Sequence, residues 1–274
     1  MKNFQQKVAV ITGAGSGIGR ALSIQLAKEG AVLALTDINE AGLKETVAQC
    51  TSIGAGVFSK TCNVAKLEEV KAWVRDVVAE YGHVDMVFNN AGIALGKKKL
   101  TELTYEEWDK IMGVNLWGVI YGSKEFLPYL LERPEAAVVN ISSVFGLAGI
   151  PEQVPYCTTK FAVRGFTEAL RGELLETNVE VYCVHPGGIN TNIADEALKE
   201  AANDPQKRKE VENFKKMLFH TPEKAANVIL NAVRKKNYKI LIGEEAYVFD
   251  LATRLLPASY SKVLDFGMNK ILKR

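Results

Sequence analysis

The sequence predicts an α/β protein: a doubly wound, mostly parallel seven-stranded sheet with helices on both faces. Three observations carry this. Short runs rich in β-branched residues recur at about 7–12, 31–36, 55–61, 84–88, 136–141, 179–184 and 238–242, and helix-period segments separate them. Strands that alternate with helices need crossover connections, which make neighbouring strands parallel and cover both faces of the sheet. No Pro-, Gly- or Ser-rich linker and no long internal repeat divides the 274 residues, so the chain reads as one domain over 1–274. With 47% hydrophobic residues it has ample material for a buried core.

The first strand pattern, Val8-Ala9-Val10-Ile11, runs into the glycine-rich turn Thr12-Gly13-Ala14-Gly15-Ser16-Gly17-Ile18-Gly19. Gly13 can take the positive φ of a tight exit from a strand, Gly17 lets backbone amides approach a diphosphate, and Gly19 permits close helix–strand packing. The segment from Ile18 to Glu29 reads as a helix, whose N-terminal amides and dipole favour an anion. A purely structural turn could share this pattern. Its context speaks for a phosphate cradle: the turn follows a strand, opens a helix, and Asp37 ends the second strand pattern eighteen residues after Gly19. That is the layout of a Rossmann-like dinucleotide site. A carboxylate at position 37 can accept hydrogen bonds from both ribose hydroxyls and repels a 2′-phosphate. Neither Ser16 nor Ile38 supplies a compensating positive charge, so NAD is expected over NADP.

Farther along, Tyr156 and Lys160 lie four apart in a helical segment that begins after Pro155 and continues through Glu176. Residues i and i+4 share a helix face, and an ammonium beside a phenol lowers the phenol's pKa towards a range useful for acid–base work. The spacing alone also arises by chance. Ser143 adds to it, following the strand pattern Ala137–Ile141 at the carboxyl edge where open parallel sheets bind ligands. Asn115 lies within an apolar helical stretch, where a buried amide needs partners.

Together, Thr12–Gly19, Asn89-Asn90-Ala91-Gly92, Asn115, Ser143, Tyr156 with Lys160, and Pro186-Gly187 followed by Thr191 resemble the short-chain dehydrogenase/reductase family in order and spacing. The resemblance spans residues 12 to 191; the final third carries no comparable signature. It implies hydride transfer between an alcohol or ketone and NAD. Tyr156 would be the general acid/base and Ser143 would hold the substrate oxygen. Lys160 would lower the tyrosine pKa and bond the nicotinamide ribose, while Asn115 would anchor a water leading protons to solvent. Asn90 and Gly92 would meet the cofactor ribose, and Ile189 and Thr191 the carboxamide. Asn63, beside Val64, stands where the family commonly places an aspartate near the adenine, a departure that removes charge from that contact.

Two segments break the βα rhythm. Residues 192–220, charged and containing Asp204-Pro205, suit a substrate lid. The tail 244–274 carries Val248, Phe249, Leu251, Leu255, Leu256, Val263, Leu264, Phe266 and Ile271, an apolar face expected to cover substrate or contact another subunit, with peripheral membrane association as the alternative. The apolar run from Val144 to Ile150 points to a substrate with an apolar body. Helical segments 104–131 and 155–176 are expected to pair in a homodimer or homotetramer, as in relatives.

A net charge of +2 gives no general reason to bind nucleic acid. No run reaches the length of a membrane-spanning helix, and residues 1–7 lack the apolar core of a signal peptide. Cys50, Cys62, Cys157 and Cys183 form no CxxC pair, and reduced thiols fit a cytoplasmic setting. His83, His185 and His220 show no metal-ligand spacing, so no metal site is expected. The competing readings are an NADPH-dependent carbonyl reductase and a non-catalytic dinucleotide sensor; keeping Ser143, Tyr156 and Lys160 together argues against the latter.

Overall fold

The computed structural model describes residues 1–191 and 218–262. The strands are β1 (Val8–Thr12), β2 (Val32–Asp37), β3 (Val57–Thr61), β4 (Met86–Asn89), β5 (Ala136–Ile141), β6 (Val179–Pro186) and β7 (Lys239–Ile242). They form one parallel sheet in the order β3-β2-β1-β4-β5-β6-β7. The helices are α1 (Gly17–Lys28), α2 (Glu40–Ser52), α3 (Leu67–Tyr81), α4 (Tyr105–Met112), α5 (Gly118–Leu131), α6 (Val154–Glu173), α7 (Pro222–Arg234) and α8 (Glu244–Leu255).

Strand side chains alternate between two apolar layers, as the two-residue period of a strand requires. Ala9, Ile11, Leu33, Leu35 and Phe88 pack with Leu22 and Leu26 of α1 and Ile229 and Val233 of α7. Val8, Val10, Val87 and Val138 pack with Trp73 and Val77 of α3, Phe126 of α5 and Leu170 of α6. Local chemistry sets several helix ends. Thr104 and Glu107 form a capping box before α4, and Thr221 caps α7 ahead of Pro222. Gly82, with φ of 72°, ends α3 in the left-handed conformation.

The strand order reverses between β1 and β4, so connections diverge there and leave a crevice beyond the strands' carboxyl ends. The turns after β1, β2, β4, β5 and β6 all open on that edge. The helix expected over 104–131 runs unbroken from Tyr105 to Leu131, widening into a π-helical turn, Gly113–Trp117, between α4 and α5.

Ala246 and Phe249 of α8 are buried against Val144 and Ala148, but Val248, Leu251 and Leu255 are 58%, 58% and 68% exposed. One turn of α8 covers the segment after Ser143 and its opposite side faces outward. Val263, Leu264, Phe266 and Ile271 lie outside the described residues, as do residues 192–217 of the lid expected over 192–220. Among the described residues no helix is long and apolar enough to cross a membrane.

At the opposite, amino-terminal edge of the sheet, fully buried Asp85 accepts from the Val8 amide at 2.9 Å and Arg133 Nε at 3.0 Å, with Lys7 Nζ at 3.5 Å and His83 Nε2 at 3.4 Å. Removing the carboxylate strands a backbone donor and a guanidinium. Asp85→Ala is expected to cost about 3 kcal/mol in urea unfolding, in the range for breaking a buried ion pair; an unchanged midpoint would show that the cluster adds nothing.

Candidate active site

The glycine turn leaves β1 with Gly13 at φ 65° and enters α1 through Gly17 at φ 52°. A Cβ at Gly19 would run into the Gly13 carbonyl, and one at Gly13 would meet the Ala91 Cα at 2.8 Å. The turn is therefore packed directly on the loop after β4. Ser16 precedes α1 with an extended backbone but makes no side-chain cap, and the first turn holds no acidic residue. Its forward-pointing amides at Gly17, Ile18 and Gly19 are left to an external anion, and this cradle fits a diphosphate.

Asp37 has a structural task. Its carboxylate accepts from the Gly15 amide at 2.8 Å and the Asn39 amide at 2.8 Å, holding the glycine turn against the end of β2. A carboxylate has further lone pairs for ribose hydroxyls. Arg20, which sequence reasoning passed over, reaches back to the Gly15 carbonyl at 2.6 Å, donates to Thr46 Oγ1 at 3.0 Å and pairs with Glu45 at 2.8 Å. A cation in the first turn of a helix opposes the dipole, and that anomaly was the available signal.

Asn90 donates its side-chain amide to the carbonyls of Thr12, at 2.9 Å, and Gly13, at 3.1 Å. Asn115, in the π turn, is fully buried; its Oδ1 accepts from the Ile93 amide at 2.8 Å, and its Nδ2 donates to the Ile93 carbonyl at 2.9 Å and to Thr159 Oγ1 at 3.3 Å. Gly92 lies where a Cβ would be 3.4 Å from Asn115 Oδ1 and 3.5 Å from Lys160 Nζ. Asn63 turns its Oδ1 to the Ala65 amide at 3.0 Å, and Val64 packs against Gly118 at the start of α5.

Ser143, Tyr156 and Lys160 come together at the carboxyl end of β5. Tyr156 sits in the first turn of α6, partly exposed, with its ring edge-on to Phe145 at 6.0 Å. Lys160, 3% exposed, lies one turn on; its Nζ donates to the Ile141 carbonyl at 3.0 Å and stands 5.6 Å from the centre of the Tyr156 ring. Ser142 donates to the Lys160 carbonyl at 2.8 Å, tying α6 to the strand.

The ammonium's expected depression of the phenol pKa does not emerge. Burial pushes Tyr156 up to about 12, with the neighbouring Ser143 hydroxyl opposing it. Burial likewise pulls Lys160 down to about 8. The reason is geometric: Lys160 lies over the ring face and spends a donor on Ile141, so desolvation dominates both groups. Cys157, between them in sequence, is buried with its thiol raised by burial, consistent with packing.

The loop after β6 carries Ile189, buried, and Thr191, whose Cγ2 lies 3.0 Å from where a Gly17 Cβ would stand. The pyrophosphate-side and carboxamide-side candidates thus face each other. Ile189 also bridges in parallel to His220. The histidines are occupied without forming a cluster: His83 approaches Asp85, His185 the Ser143 carbonyl, and His220 Glu245.

A family model for short chain dehydrogenases matches residues 7–202. Among curated proteins, the "Putative oxidoreductase SadH" of Mycobacterium tuberculosis is 43% identical over 272 residues, covering 98% of this chain and 98% of that protein. The 3-oxoacyl-[acyl-carrier-protein] reductase FabG of Thermotoga maritima is 35% identical over 227 residues, covering 83% of this chain and 90% of that one. Among solved structures, a short chain dehydrogenase/reductase from Burkholderia phymatum in complex with NAD superposes with a TM-score of 0.85 at 30% identity, covering 93% of this chain and 95% of that one.

His185, fully buried, donates from Nδ1 to the Ser143 carbonyl at 3.0 Å, and its Nε2 has no partner among the described residues. Burial lowers its pKa from 6.5 to about 4, so the folded chain binds fewer protons than the unfolded chain between those values. Its contribution is therefore fully present above pH 6.5 and is lost as pH falls towards 4. Between pH 7 and pH 5 the wild type should lose about 2 kcal/mol more unfolding free energy than His185→Leu; parallel losses in paired urea titrations would refute this.

Proposed function

The chain belongs to the short chain dehydrogenase family of oxidoreductases, and from that premise we propose that it uses NAD to interconvert a secondary alcohol and a ketone with an apolar body. The observation that carries this reading is a phenol beside the Ser143 hydroxyl, with a buried ammonium one helical turn away, at the sheet edge that also bears the glycine cradle. Gly13, Ser16, Gly17, Ile18 and Gly19 would hold the diphosphate, Asp37 the adenosine ribose, Asn63 and Val64 the adenine side, Asn90 and Gly92 the inner ribose, and Ile189 and Thr191 the carboxamide. When bound, the nicotinamide supplies the two-electron hydride chemistry that no side chain provides.

The chain's own residues handle the proton. Ser143 would donate a hydrogen bond to the substrate oxygen and orient it. Tyr156, whose raised pKa keeps it protonated at neutral pH, would deliver its proton to a ketone oxygen as negative charge develops there. The Lys160 ammonium would then stabilise the phenolate left behind. In the alcohol direction the phenol must first ionise, which its burial opposes. This asymmetry supports ketone reduction as the easier direction for the isolated site at neutral pH. Asn115, committed to Ile93 and Thr159, would act by holding the site's walls.

The apolar substrate preference rests on the segment after Ser143, where Val144 and Ala148 pack under Ala246 and Phe249 with Phe145 and Ile150 alongside. The exposed Trp117, in the π turn just before α5, and Phe161 of α6 support pairing of these helices between subunits.

A panel of polar and apolar ketones and alcohols, followed by nicotinamide absorbance, tests the assignment. Tyr156→Phe is expected to lower kcat about 1,000-fold while leaving NADH affinity near wild type, within the usual range for losing a general acid; full activity in that variant would reject the proton assignment. For alcohol oxidation, kcat/KM should rise with pH above neutrality, because deprotonation of a phenol with a raised pKa limits the active form. A flat profile to pH 10 would contradict it. Asp37→Ala should reduce the preference for NAD over NADP by about tenfold, the scale of one screened like-charge contact. A wild-type preference for NADP would favour the carbonyl-reductase alternative.

A further inference from the structure

The turn Gly187–Thr191 after β6, which carries Ile189 and Thr191, is held from behind by residues with no counterpart in the motifs that identify the family. Glu245, in the first turn of α8, extends its carboxylate across both Gly187 and Gly243: a Cβ at Gly187 would collide with its Oε1, and one at Gly243 would come within 2.5 Å of it. Oε1 accepts from the Gly188 amide at 2.7 Å. Oε2 meets His220 Nε2 at 3.2 Å, and His220 Nδ1 meets Lys224 Nζ at 3.3 Å. Lysine's ammonium can only donate, so His220 Nδ1 must accept, and Nε2–H must then donate to Glu245. One imidazole tautomer thus completes a chain from Lys224 through His220 and Glu245 to the Gly188 backbone.

The same turn is clamped by main chain. Asn190 N–H donates to the His220 carbonyl at 2.9 Å, and His220 N–H donates to the Gly188 carbonyl at 3.1 Å. The His220 side chain is 11% exposed and that of Glu245 33%. Burial raises the Glu245 carboxyl, but the amides of Glu245 and Gly188 together with His220 outweigh it, leaving its pKa below the ordinary value. The carboxylate is therefore held in its charged, accepting form.

We propose that Glu245, oriented by His220, is a positioning residue that sets the nicotinamide-side turn Gly187–Thr191 against the glycine cradle. This rests on the reading of that turn as a cofactor contact. The role differs from general stability because it acts on one half of the dinucleotide. The adenosine and diphosphate groups would bind the glycine turn and Asp37, which Glu245 does not touch, whereas the nicotinamide half would depend on the turn that Glu245 holds.

The test measures NADH and ADP-ribose dissociation constants by titration, alongside kcat, KM and thermal unfolding, for wild type, Glu245→Ala, Glu245→Gln and His220→Gln. Glu245→Ala is expected to weaken NADH about tenfold, the size of one charged hydrogen bond, with ADP-ribose unchanged. Its KM for the dinucleotide should rise more than its kcat falls. Glu245→Gln keeps an acceptor for the Gly188 amide and should recover most of the loss, with His220→Gln in between. Equal weakening of both ligands, or wild-type NADH affinity in Glu245→Ala, would overturn the inference; so would failure of Glu245→Gln to improve on Glu245→Ala. A wild-type protein that binds ADP-ribose and NADH normally keeps the functional reading intact in either case. One that binds neither would overturn that reading and this inference with it.

Discussion

The stitch between Thr12 and Asn90 is the interaction from which the site's geometry follows. At the switch point, β1 and β4 end side by side while their connections leave in opposite directions. Thr12 Oγ1 accepts from the amides of Asn90 at 3.0 Å and Ala91 at 3.1 Å, and the Asn90 side chain returns the bond to Thr12 and Gly13. The backbone then runs to Ile93, which Asn115 grips by both its amide and its carbonyl. Asn115 in turn donates to Thr159, whose hydroxyl donates to the Tyr156 carbonyl at 2.8 Å. A continuous hydrogen-bonded path thus links the glycine turn to the first turn of α6. Each bond is individually modest, but buried polar groups left unpaired are costly, so breaking any one of them carries a penalty beyond the bond itself.

That path lies over a second buried polar layer. Asn89 donates to Ser123 at 2.9 Å and to Asn140 at 2.8 Å, and Asn140 donates to Thr167 at 3.1 Å, joining β4, α5, β5 and α6 just beneath the site. Gly122 is required here, since a Cβ would strike Asn89 Oδ1. Above this layer burial governs the site's acid–base character. Tyr156, Lys160 and His185 are all pushed towards their neutral forms by desolvation. The two sheet edges differ accordingly: Asp85 gathers charge to fasten the amino-terminal edge, while at the carboxyl edge burial works against the charged forms of Tyr156, Lys160 and His185.

The C-terminal part of the chain contributes through contact rather than motif. Tyr260 accepts from the Gly149 amide at 3.0 Å, Phe249 and Ala246 cover Val144 and Ala148, and Glu245 braces the turn after β6. Three points of the sheet's carboxyl edge are therefore supported by a region in which no recognisable motif occurs.

Much was legible in order along the chain. The seven strands fall within a few residues of their predicted places because parallel strands covered on both faces must be nearly continuous apolar runs, and that pattern is local. The positive φ of Gly13, the acidic residue ending β2, and the i, i+4 spacing of Tyr156 and Lys160 are local for the same reason. What the tertiary structure alone decided was whom those groups meet. Asp37 braces Gly15, Lys160 turns to Ile141, Asn115 holds Ile93 from a π turn within its helix, and only one side of α8 is covered. Hydrogen-bond partners tens of residues apart leave no periodic trace, and desolvation depends on every neighbour at once. Residue type and spacing therefore set the catalogue of chemical groups, while packing chose their partners and their charge.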